Sequence, residues 1–223
     1  MAILGDSRQI IVGAAQVFIA KSGSLKYIDG TDPAEYSFDG LAGSDIPAFV
    51  AGTKYADTLT SASANWRNVG YTSNGLEVQF QPDFGEVQVD QVLDTVRFFK
   101  QGMKVSLVTA FAEGSLENLA VAIAAPNSDY DGAGNKTLYM NSGTLGDVPV
   151  ERAIVAIGPG SGDPEAVGAD AVERVYVAHR ALSIESVTAT AKRDAPTSFE
   201  VTFRLLPANN GSYGKIVDRV VGP

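Results

Sequence analysis

The sequence predicts a mainly β protein, and three observations carry that prediction. Glycine and proline are frequent, at 23 and 10 in 223 residues, among abundant Val, Thr and Tyr, which is the composition of strands joined by turns. Leu76, Val78 and Phe80 alternate with Glu77, Gln79 and Gln81, a period of two that gives one apolar and one wet face. The same period returns in Phe199, Val201, Phe203 and Leu205. A chain this long supports one elaborated domain, 1–223, whose core needs no staples, and the absence of cysteine removes disulfides and thiolate sites. The architecture expected is a β-sandwich with one flanking helix.

Residues 10–21 are β-rich and end at Ser22-Gly23-Ser24, which marks a first strand. From about 25 to 65, Asp-Gly, Asp-Pro, Gly and Pro steps break any period. This reads as a long loop or small insertion, uncommon in a compact domain unless it has a task such as covering a neighbouring subunit. A hairpin follows Tyr71: its first strand carries Leu76 to Gln81, Pro82-Asp83-Phe84-Gly85 forms the turn, and Val87 and Val89 then alternate with Glu86, Gln88 and Asp90. Met103, Val105 and Leu107 alternate in a further strand, with Gly102 as a break from residues 95–100.

Ser115 suits a helix N-cap, with Glu117 in the first turn at the positive end of the dipole. Leu116, Leu119, Ala120 and Ile123 stand at helical spacing as its core face, and Pro126-Asn127 stops the helix. A second irregular region, about 126–170, reads as an insertion containing strands at 137–141 and 152–157. Later strands are expected at 172–179, 182–191, 197–206 and 216–221.

The net charge of −9 and an isoelectric point near 4.6 argue against ordinary nucleic-acid binding, which needs a basic stripe. Residues 1–6 lack a charged leader and an apolar core, and no apolar run approaches 18 residues, so the chain is expected to stay soluble in the cytoplasm where it is made. The one histidine, His179, leaves a single possible base for any Ser-His-Asp arrangement, and beside Arg180 it reads as a surface or half-buried side chain. Asp129 and Asp131 begin like a calcium loop, but Ala133 and Met140 stand where oxygen ligands belong, which favours a polar turn. The glycine run 158–162 lacks the lysine of a phosphate loop. No catalytic, cofactor-binding or metal-binding residue emerges, so an enzyme is the least supported class and no cofactor is expected.

One stretch is more specific. Trp66-Arg67-Asn68-Val69-Gly70-Tyr71-Thr72 precedes the alternating hairpin with Asp90-Gln91 near its end, a long strand follows, and Glu113-Gly114-Ser115-Leu116-Glu117-Asn118-Leu119 opens the helix. In order and spacing this resembles the tail tube, or major tail, proteins of long-tailed bacteriophages. Phe203-Arg204-Leu205-Leu206-Pro207 and Gly214-Lys215-Ile216-Val217-Asp218 also resemble that family's closing strands.

The resemblance implies a barrel-forming fold assembled as homohexameric rings. The rings would stack into a tube under a tape-measure protein, meet tail terminator and distal tail proteins at the ends, and reside in the virion tail after assembly in the host cytoplasm. Double-stranded DNA would pass transiently through the lumen, with no membrane partner. Acidic and amide groups there would repel or hydrate the phosphates, whereas basic groups would bind them. Glu77, Gln79, Glu86, Gln88 and Asp90 are the lumen-lining candidates. Segments 1–9, 25–65 and 158–168 are candidates for contacts between subunits. The alternatives are a ligand- or carbohydrate-binding β-sandwich module, which needs exposed aromatics on one face, and the inner tube of a contractile tail or injection device.

Overall fold

The computed structural model describes residues 14–21, 46–62, 66–90, 92–125, 130–131, 135–142, 145, 150–160, 172–189, 197–208 and 211–221. The fold is mainly β, as the composition predicts. Strands β1 (Gln16–Ala20), β2 (Trp66–Asn68), β3 (Thr72–Val89), β4 (Val92–Phe111), β7 (Arg152–Pro159), β8 (Val172–Ser183), β9 (Phe199–Leu206) and β10 (Gly214–Val220) form one antiparallel sheet. Its order is β2-β1-β7-β8-β9-β4-β3, with β10 also on β8. The short strands β5 (Tyr130–Asp131) and β6 (Thr137–Leu138) pair separately. Residues 10–13, within the expected first strand, lie outside the described residues, as do segment 1–9 and residues 161–168.

The sheet curls around its own core. Val17 and Ile19 of β1, Ile154 and Ala156 of β7, and Phe199, Val201, Phe203 and Leu205 of β9 are all buried in one cluster with Val105, Leu107 and Phe111 of β4. Alternation along β9 therefore does what its sequence predicts. Helix α2 (Leu116–Ala122) adds Val121 and Ala122 to that cluster. The opposite face of β1, β7 and β8 carries Phe18, Val155, Ile157, Val175 and Val177, covered by Trp66 and by Tyr55 and Leu59 of α1 (Tyr55–Ser61).

The two edge strands belong to one chain segment, since only Val69, Gly70 and Tyr71 separate β2 from β3. Val69 donates its N–H to the Val17 carbonyl of β1, while the Tyr71 carbonyl accepts from Ala112 just beyond β4. The edges thus converge on Gly70 without a ladder closing between them. Gly70 has φ +85, and a Cβ there would lie 2.1 Å from the Glu113 carboxyl, so conformation and space both call for glycine.

Several expectations are corrected. The expected turn at Pro82–Gly85 is the middle of a continuous strand, and the hairpin reverses near Val89 and Val92. β3 is an edge strand, where a proline whose missing N–H points outward costs no ladder bond. Gly85 is roofed by Gln101 and Phe99, whose atoms would sit 2.5 and 2.6 Å from a Cβ. Gly102 does not separate two strands either; the irregularity is a register shift between Asp83/Gly102 and Phe84/Lys100 that leaves Gln101 unpartnered on β4. The expected strands at 172–179 and 182–191 are one strand ending at Ser183. Part of the expected 25–65 loop, residues 46–62, is docked on the sheet and contains a second helix, α1, anchored by buried Tyr55 and Leu59.

In α2 the Ser115 side chain accepts from the Asn118 N–H at 3.2 Å, the cap that the sequence suggests. Its buried face differs in part. Ala120 is inside and Leu119 packs against the core as expected, but Asn118, Val121 and Ala122 are also inside, whereas Leu116 and Ile123 are 37% and 45% exposed. The helix is rotated because Asn118 finds tertiary hydrogen bonds that helical periodicity cannot reveal.

Candidate assembly interface

Two sequence motifs far apart in the chain meet where the sheet edges converge. Asn118, 1% exposed, donates through Nδ2 to the carbonyls of Val69 (2.8 Å) and Glu113 (3.0 Å) and accepts from Arg67 Nη1 at 2.6 Å. Glu113 Oε1 in turn accepts the Tyr71 N–H at 3.0 Å. The Trp66–Thr72 turn and the Glu113–Leu119 helix start are thereby one joint, with one amide satisfying three partners. Asn118→Ala would orphan buried carbonyls and a guanidinium contact, and is expected to cost about 2 kcal/mol of unfolding free energy in urea titration.

From this joint β3 and β4 run outward together. β9 pairs with β4 only over Ser106–Phe111, so beyond Val105 the two strands continue as a ribbon with no third strand among the described residues. Residues 81–89 alone span about 30 Å at strand rise. Two-stranded ribbons are marginal by themselves, and this one has two distinct faces.

One face continues the core outward through the cross-strand pairs Val78–Leu107, Phe80–Val105, Pro82–Met103, Phe84–Lys100 and Glu86–Phe98. Phe80, Phe84 and Phe98 on it are 53%, 54% and 60% exposed, so nothing among the described residues covers it fully. The opposite face pairs Gln79 with Ser106, Gln81 with Lys104, Gly85 with Phe99 and Val87 with Arg97, and carries Glu77 and Asp83 as well, so it is mostly polar with one exposed ring, Phe99.

All five lumen candidates are exposed, but they do not share a face. Alternation along β3 from Leu76 to Val87 places Glu77 and Gln79 on the polar side and Glu86 on the apolar side, while Gln88 falls within the register irregularity between Val87 and Val89 and Asp90 stands in the turn. A common face required a turn at 82–85 to restart the alternation, and the continuous strand removes it. Glu77 accepts from Gln79 Nε2 at 2.9 Å, and Glu86 accepts from the Thr95 hydroxyl at 2.9 Å. The register also brings a basic strand beside the acidic one: Arg97, Lys100 and Lys104 of β4 balance much of the charge of Glu77, Asp83 and Glu86. Reading β3 alone could not show this, because it depends on pairing.

The other sequence candidates fall elsewhere. His179 is buried at 2%, not on the surface, and burial with the nearby Lys215 charge pushes its pKa down to about 4. Asp131 pairs with Thr137 in the β5–β6 ribbon, and Asp129 lies outside the described residues. Among the described residues no cluster of three or more His, Asp or Glu is spaced to hold a metal ion, and no helix is long and apolar enough to cross a membrane. The one tryptophan is 2% exposed, so it offers no stacking platform for a sugar.

Fold and interface together define an antiparallel β protein with a projecting amphipathic ribbon. No protein-family model matches the chain, and no curated protein matches it.

Proposed function

We propose that this chain is a structural subunit that polymerises, as stacked homohexameric rings, into the tail tube of a long-tailed bacteriophage and so forms a channel for DNA. The observation that carries the reading is the β3–β4 ribbon. Its apolar face leaves Phe80, Phe84 and Phe98 more than half exposed, and its outer edges have no strand partner among the described residues. The meeting of the Trp66–Thr72 and Glu113–Leu119 motifs adds support, since the residues behind the family resemblance act as one joint.

In this reading the ribbon's apolar face is consumed between subunits and its other face, where Glu77, Gln79, Gln81 and Asp83 stand beside Lys104 and Arg97, lines the lumen. Glu86 then belongs to the subunit contact. Tape-measure, terminator and distal tail proteins are the partners expected at the tube ends, and the function is not enzymatic.

Negative-stain electron microscopy across a concentration series tests the proposal. Hollow tubes or stacked rings with sixfold end views are expected. A particle that stays monomeric at every concentration overturns it.

A further inference from the structure

We infer that Arg204, Lys104, Gln81 and Ser106 form a site for a phosphate-class oxyanion on the polar face of the sheet, presented by free phosphate or by the backbone of DNA. The site stands on its own geometry; its role as a DNA contact in the channel rests on the function proposed above.

Register brings these residues together. Val105, Leu107, Phe203 and Leu205 are buried in the core, so alternation turns Lys104, Ser106 and Arg204 to the opposite side. Ser106 lies between Gln79 of β3 and Arg204 of β9, and Lys104 faces Gln81 in the next row. Directly opposed side chains stand about 5 Å apart at Cβ and diagonal ones about 7–8 Å, so two cations, two amides and a hydroxyl share one patch. β9 pairs with β4 no further than Ser106, so Lys104 has no strand neighbour on that flank among the described residues.

Ion pairing elsewhere sets this patch apart. Arg67, Arg174, Arg180 and Arg219 each have a carboxylate partner within the chain. Arg204 and Lys104 have none among the described residues, and Arg204 Nε is shielded from water without an acceptor. The nearest acids along β3 are kept to either side by the register. Glu77 stands one row beyond Gln79 and accepts from its amide at 2.9 Å, and Asp83 stands one row beyond Gln81, opposite Gly102.

This donor set selects its ligand. A guanidinium, an ammonium, an amide and a hydroxyl approach from different directions. A tetrahedral oxyanion offers acceptors to all of them, whereas a planar carboxylate is filled by the guanidinium fork alone. Lys104 and Gln81 are exposed, so a phosphate carried on an extended backbone reaches them as readily as a free ion. The net charge of −9 opposes a polyanion at long range, which confines the contact to this patch and makes it weak and salt-dependent. In a ring of subunits every copy sets such a patch at the same height, a grip that holds DNA by charge without reading its sequence.

Two probes test this on the full-length chain below the concentration at which it assembles. One is a short fluorescein-labelled DNA duplex, followed by anisotropy over a salt series; the other is inorganic phosphate, followed by the NMR signal of the Arg204 Nε–H. Lys104→Gln is expected to reduce the slope of log affinity against log salt by about one, and Lys104→Gln combined with Arg204→Gln by about two. Lys54→Gln, which removes an exposed cation elsewhere, is expected to leave the slope unchanged. Native circular dichroism spectra show that each variant is folded, and exposed Lys104 is a site where substitution leaves the core intact. Equal loss of slope in Lys54→Gln and Lys104→Gln overturns the site, because net charge alone then accounts for binding. A phosphate response at Arg204 without duplex binding keeps the oxyanion site and overturns its role as a DNA contact. No response to either probe overturns the inference entirely. The assembly reading fails separately: a native chain that never forms rings or tubes removes the channel, while the phosphate response still judges the site.

Discussion

Glu173→Ala is expected to lower the unfolding free energy by about 3–5 kcal/mol, the usual penalty for stranding a buried charge. Glu173 and Arg219 face each other across β8 and β10, with a 3.1 Å separation between Oε1 and Nη1 and side chains only 10% and 9% exposed. The same oxygen accepts the Tyr55 N–H at 2.9 Å at the start of α1. Arg219 also donates to the Val50 carbonyl at 2.6 Å and lies 5.2 Å from the Phe49 ring. One carboxylate therefore adds a polar tie to the packing of Tyr55 and Leu59 that docks the 46–62 segment on the sheet. Losing it leaves a guanidinium and an N–H without their partner. Glu173→Met combined with Arg219→Met removes both charges and is expected to recover much of the loss. Urea unfolding of the three proteins decides the matter: a single-variant loss below about 1 kcal/mol would mean the pair is solvated enough to be dispensable.

Acid is expected to weaken the fold through His179 well before the carboxylates dominate. With its ordinary value of 6.5 lowered to about 4 in the folded chain, His179 takes a proton in the unfolded chain first. Between those two values the unfolded state binds more protons, so stability rises with pH and is lost as pH falls from about 6.5 to about 4. At 1.36 kcal/mol per unit the full loss is about 3 kcal/mol. Asp218, held below its ordinary range chiefly by hydrogen bonding from Arg174, works in the same direction but at lower pH. His179→Gln removes the titration and is expected to flatten the stability profile between pH 6.5 and 4. Parallel profiles for the two proteins in urea titrations at pH 7, 6 and 5 would refute the assignment.

Much of the fold was legible where local pattern and tertiary environment agree. Phe199, Val201, Phe203 and Leu205 alternate and are all buried, and Ser115 caps its helix. The sequence misleads where tertiary partners override local signals. Pro82 and Gly85 read as a turn, yet an edge position tolerates the first and a roof of Phe99 and Gln101 the second. Asn118 looks like a solvent-facing helix residue until Val69, Glu113 and Arg67 surround it. His179 carries no local sign that β8 is covered on both faces.

The candidate interface was half legible for the same reason. Glu77 and Gln79 are exposed on the side of β3 that the alternation indicates. Glu86 is exposed too, but on the other side of β3 from Glu77 and Gln79, because the strand runs on through 82–85 where the sequence suggests a turn. The patch around Lys104 and Arg204 was beyond reach from sequence, since it depends on which strands pair.

The three residues joining β2 to β3 carry a mechanical consequence. In an open sheet, load on an outer strand unzips that strand alone and leaves the far side at rest. Here a pull that lifts β2 from β1 is transmitted through Gly70 to β3 and to the strand beneath it, and Asn118 resists at the same point. Strain at one margin therefore reaches the other through this joint, although the sheet itself stays open there.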